Sequence, residues 1–85
     1  MHIYPTKQFI KSFKKLPPSI KEKAIQREKI FQIDMFDVRL KTHPLKGKLS
    51  RFHSYRINRA YRIVFEIIDK ETILYHDIGT HSIYI

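Results

Sequence analysis

Cysteine and tryptophan are absent from these 85 residues, and glycine occurs only 2 times. Without thiols no disulfide can staple the fold and no thiolate can hold a metal, so the chain depends on its own packing or on a partner, and nothing marks it as secreted. Acids are scarce as well: 8 Asp and Glu stand against 17 Lys and Arg, a formal net charge of +9. No apolar run nears the ~18 residues of a membrane span, and Met1 opens no basic-then-apolar leader. The expectation is a soluble, cytoplasmic chain with no membrane partner. Internal repeats, linkers and low-complexity tracts are missing too. What remains is one domain, residues 1–85, and a chain this short buries only about 60–65% of its unfolded surface, which implies modest stability.

The charge is concentrated. From Val38 to Phe65 the sequence holds Arg39, Lys41, Lys46, Lys48, Arg51, Arg56, Arg59 and Arg62 and no acid at all. A single-sign block of this kind attracts a polyanion over a Debye length and raises encounter rates. It implies a nucleic-acid backbone or an acidic protein as partner, rather than a small-molecule ligand.

Met1 to Tyr4 reads as a first strand, ended by Pro5. Thr6 can cap a helix whose inner face is Phe9, Phe13 and Leu16, and Pro17 stops that helix. A second helix restarts at Pro18, with Ser19 and Glu22 spaced for a capping box. Ile20, Ala24, Phe31, Met35 and Val38 fall in one narrow arc of it, a stripe that reads as core. Asp37 to Leu49 loses the helical period and contains His43-Pro44-Leu45-Lys46-Gly47, a connector. Three strands follow, Arg51–Ile57, Tyr61–Asp69 and Thr72–Gly79, with tight links at Asn58–Ala60 and Asp69–Glu71.

The middle strand alternates. Tyr61, Ile63, Phe65 and Ile67 share one face, expected on the core; Arg62, Val64, Glu66 and Ile68 share the other, with Arg62 in the open and Glu66 within reach of it. With Lys70 and Glu71 as the loop, Phe65 is expected near His76 and Ile63 near Ile78. The fold class is therefore α+β: β-α-α-β-β-β, a two-helix hairpin on one face of a mainly antiparallel twisted sheet.

This order of elements, in a basic chain of this size, resembles the RelE/ParE superfamily of toxins from type II toxin–antitoxin systems. The residues that carry the resemblance are His43-Pro-Leu-Lys-Gly47, Ser54-Tyr-Arg-Ile57, Tyr61-Arg-Ile-Val-Phe65 and Asp77-Ile-Gly-Thr-His81 with Tyr84 beyond. The family resemblance implies a ribosome-dependent endoribonuclease that cuts mRNA and is neutralised by a cognate antitoxin. It places the family's site pattern on Arg56, Arg62, His81 and Tyr84, and a YafQ-like loop histidine on His43. That branch's second histidine and its aspartate are replaced here by Arg56 and Ala60, while the RelE-like branch has arginine where this chain has His81.

These residue types suit the chemistry. Attack by an RNA 2′-hydroxyl needs a base, an acid and cations around the phosphate. His81 and His43 are the expected acid and base, since imidazole titrates nearest neutrality. Arg56 and Arg62 can grip a phosphate through paired hydrogen bonds, and Tyr84 can stack on a base. Lys41, Lys46, Lys48, Arg51 and Arg59 are expected to contact the RNA or ribosomal backbone. His2, His53 and His76 read as bystanders, His76 turned to the core. The five histidines lack a compact ligand spacing, so no metal site and no cofactor is expected. Two rival readings share the fold: a ParE-like toxin that inhibits gyrase without cutting, and an inert homologue.

Overall fold

Thr6 ties the two ends of the fold together. In the computed structural model, which describes residues 1–80, it sits extended at the start of α1 (Lys7–Lys14), and its hydroxyl accepts from the Phe9 amide at 3.0 Å. The same hydroxyl donates to the carbonyl of His76 at 2.9 Å, 70 residues away. Removing both bonds with Thr6→Val is expected to cost about 1–2 kcal/mol. For a domain of this size that lowers Tm by roughly 4–16 °C. Thermal unfolding followed by circular dichroism checks it, and an unchanged Tm would show the clamp to be idle.

Helix α2 (Pro18–Ile33) follows the proline pair. The expected capping box does not form: the cap is Pro17, which has no side-chain bond to give, and Ser19 already lies inside the first turn. Nor does the helix reach Val38. It stops at Ile33, where Asp34 turns extended and its carboxylate accepts from the Phe36 amide at 3.0 Å. Ile20, Ala24, Phe31 and Met35 still join the core, whereas Val38, in a short 3-10 turn, is 84% exposed.

The sheet has five strands in the order β1-β5-β4-β3-β2. β1 (His2–Pro5) runs parallel to β5 (Thr72–Gly79), and β4 (Arg62–Asp69) and β3 (Phe52–Arg56) complete an antiparallel meander. The expected connector contributes an additional edge strand, β2 (His43–Pro44), paired with His53 and Ser54. Two residues before a proline offer no alternation for sequence reasoning to find. Asn58 makes the β3–β4 link by accepting from the Ala60 and Tyr61 amides at 2.9 and 2.8 Å. Asp69 does the same for the Glu71 amide at 2.8 Å, which holds its carboxyl below the usual range.

Ile63 pairs with Ile78 as expected, but Phe65 pairs with Tyr75 rather than His76. A bulge at this point gives β5 one extra residue, so the strand can return Ile78 to the core after two outward positions. Both helices cover one face, over Tyr55, Ile63, Phe65, Ile73 and Tyr75. The Tyr55 and Tyr75 hydroxyls meet at 2.8 Å, and burial pushes both phenols far up. The opposite face carries Phe52, Ser54, Arg56, Arg62, Val64 and Glu66, and it holds the candidate site.

Candidate nucleic-acid interface

The ladder sets the side chains of the face away from the helices in rows. His43 pairs with Ser54, Ser54 with Val64, and Val64 with Asp77. Next to that row, Arg56 stands directly opposite Arg62, which is paired in turn with Gly79. Two like charges facing each other weaken a sheet by a few tenths of a kcal/mol.

The connector between β2 and β3 folds over this face. Gly47 takes a left-handed φ of +65°, and the 3-10 turn it begins, Gly47–Leu49, brings Leu49 to a concavity of about 260 Å³. His43, Pro44, Leu45, Lys46, Leu49 and Arg62 line it. Its size is below that of pockets for drug-sized ligands and suits one phosphate or one base. Arg62 is not in the open as the alternation implied: it is 7% exposed. Glu66, which the alternation left within reach of Arg62, has its Oε1 2.9 Å from His76 Nε2.

His43 is exposed, and its ring is fixed from behind. Nδ1 lies 2.9 Å from the Lys41 carbonyl. A carbonyl only accepts, so Nδ1 carries the hydrogen and the neutral ring keeps its lone pair on Nε2. Lys41 presents that carbonyl from a left-handed backbone with φ of 54°, a conformation costing a non-glycine residue about 1–2 kcal/mol. Strain of this kind collects at functional sites. Next to His43, His53 stacks on Phe65 with ring centroids 5.6 Å apart; burial, and then the charge of His43, lower its pKa.

The remaining cations spread around this centre. Lys46 is on the concavity wall, Lys48 is exposed on the 3-10 turn, and the Arg51 guanidinium lies 4.8 Å from the Phe52 ring centroid. Arg59 is exposed in the β3–β4 turn, at the Arg56–Arg62 end of the sheet. Arg39 is neutralised by Asp37, with contacts of 3.0 and 2.8 Å, and the same bonds hold the Asp37 carboxyl down at about 2. His81 and Tyr84 lie outside the described residues. Sequence reasoning missed the Glu66–His76 pair, taking His76 for a core residue; the bulge that settles its direction leaves no mark in the alternation of β5. Among the described residues, no group of three or more His, Asp or Glu could hold a metal, and no helix is long and apolar enough to cross a membrane.

Two helices on one side of a β1-β5-β4-β3-β2 sheet make a fold shared with solved toxin structures. In particular, the chain superposes on the YoeB/ParE toxin from Agrobacterium tumefaciens with a TM-score of 0.81 and 19% identity, over 95% of this chain and 99% of that one. YafQ from E. coli strain BL21(DE3) gives 0.78 and 18%, over 95% and 93%. The toxin–antitoxin complex RelBE2 from Mycobacterium tuberculosis gives 0.67 and 23%, over 93% and 95%. At these identities the likeness is one of fold. By sequence the chain matches no protein-family model and no curated protein.

Proposed function

We propose that this chain is the toxin of a type II toxin–antitoxin pair and an endoribonuclease that cuts mRNA on translating ribosomes in the cytoplasm. The observation that carries this reading is the meeting of His43, Lys46 and Arg62 at one small concavity, with Arg56 opposite Arg62 on the same face. In the proposed reaction the RNA 2′-oxygen attacks the adjacent phosphorus, the 5′-oxygen leaves, and a cyclic 2′,3′-phosphate remains. A base removes the 2′ proton and an acid supplies one to the leaving oxygen. The lone pair on His43 Nε2 supports a role as base, and His81 is assigned the complementary proton transfer. Arg56 and Arg62 hold the phosphate as charge gathers on it. Tyr84 orients a base, and side chains alone supply the chemistry.

The RelBE2 neighbour is a toxin–antitoxin complex, which supports a cognate antitoxin here as well. Its acidic segment would cover the block from Val38 to Phe65. Primer extension on a reporter transcript, with and without translating ribosomes, tests the activity. Discrete cuts that appear only with ribosomes are expected. Intact mRNA accompanied by double-strand DNA breaks would overturn the reading in favour of gyrase inhibition, and growth without arrest on induction would mark an inert homologue.

A further inference from the structure

Glu66 and His76 share the face away from the helices, yet the reaction above gives them no task. His76 Nε2 lies 2.9 Å from Glu66 Oε1, and the two side chains are 27% and 22% exposed. Phe52 stands opposite Glu66 in the ladder and meets the His76 ring edge-to-face at 4.7 Å. The Arg51 guanidinium lies 4.8 Å from the same Phe52 ring. The bulge next to His76, whose carbonyl Thr6 holds, fixes the imidazole on this face; bulges are frequent where a side chain must be re-aimed beside a site.

An acid here repels the RNA backbone that the surrounding cations attract. Glu66 is the first acid after the block from Val38 to Phe65. What a carboxylate on such a face can attract is a nucleobase edge rich in N–H donors. A carboxylate only accepts, so the shared hydrogen sits on His76 Nε2 and the imidazole holds Glu66 in one orientation. The second oxygen and a further lone pair stay available, a match for the adjacent N1–H and N2–H donors of guanine. Adenine and cytosine each offer an amino group beside an acceptor nitrogen, which such a carboxylate repels. The exposed Arg51 guanidinium adds a plane on which a base can stack.

We infer that Glu66, oriented by His76 and flanked by Arg51, forms a nucleobase subsite that selects guanine at a nucleotide beside the cut. It rests on the endoribonuclease reading. Glu66 is four residues along β4 from Arg62, about 14 Å at ~3.4 Å per residue, so the base it reads belongs to a flanking nucleotide and not to the scissile phosphate.

The experiment maps cut positions on several reporter transcripts with translating ribosomes, for the parent and for Glu66→Gln, with His76→Gln as a second variant and circular dichroism to check folding. The parent is expected to enrich guanine at one fixed flanking position. Glu66→Gln, whose amide presents a donor to the same edge, is expected to cut guanine-flanked sites about tenfold less relative to other sites, and His76→Gln to weaken the bias in the same direction. A parent that cuts without guanine enrichment at any fixed position overturns the subsite alone. So does a bias that survives both substitutions, or a folded Glu66→Gln that cuts nothing, which would move the pair into the chemistry itself. A parent that leaves mRNA intact overturns the endoribonuclease reading, and the subsite with it.

Discussion

Arg62→Lys is expected to lower ribosome-dependent mRNA cleavage by about 10²-fold or more, the scale of losing one preorganised donor to a developing oxyanion, while leaving the protein folded. Arg62 is 7% exposed and shares the concavity wall with the apolar side chains Leu45 and Leu49. In such a setting its field on a phosphate is screened less than at an open surface. Lysine keeps the charge but has no planar fork, so the second hydrogen bond to the phosphate is lost. Arg56, directly across the ladder, is exposed, so its field on the phosphate is screened more and replaces that of Arg62 only in part. A companion His81→Gln is expected to cost about 10²–10⁴-fold, the range for removing a general acid or base. Initial rates of reporter cleavage with matched ribosomes measure both. A lysine variant cutting at the parent rate would reduce Arg62 to a structural cation, and an undiminished glutamine variant would remove His81 from the reaction.

Phe31→Ala is expected to remove about a quarter or more of the folding free energy. Phe31 is fully buried beneath α2, stacked on Tyr55 at 4.7 Å and edge-on to Phe65 at 4.9 Å. Truncating such a side chain costs about 3–5 kcal/mol. At ~0.05–0.15 kcal/mol per residue, the whole domain holds only about 4–13 kcal/mol. Urea unfolding followed by circular dichroism should show the midpoint falling by about a quarter or more, or no cooperative transition. A midpoint within a tenth of the parent's would mean that the helix does not depend on this contact.

The meander was legible because its signals are local. Alternation in Tyr61–Ile68 and the turn residues Asn58 and Asp69 placed two strand boundaries within a residue or two, and the Ile63–Ile78 pairing followed. Thr6 and the Phe9 face of α1 were equally plain. What failed depended on contacts distant in sequence. Val38 continues a helical period that Asp34 terminates by bonding its own backbone, and the two-residue β2 exists only because β3 offers it an edge. At the site, the family resemblance pointed to His43, Arg56 and Arg62, and the acid-free basic block to Lys46, as expected partners for a phosphate. The burial of Arg62, which shares its concavity with Leu45 and Leu49, could not be read that way, because alternation within β4 does not register it.

The Thr6–His76 bond also governs timing during synthesis. β5 is an interior strand, between β1 and β4, yet it is made after both. At about 5–20 residues per second, the 70 residues from Thr6 to His76 take roughly 4–14 s to translate. Through that interval the first strand has no neighbour to pair with and the apolar side of α1 has no strand to rest on. Closure of β1 and α1 onto the sheet is thus postponed until β5 has been made, although β2, β3 and β4 can pair with one another earlier.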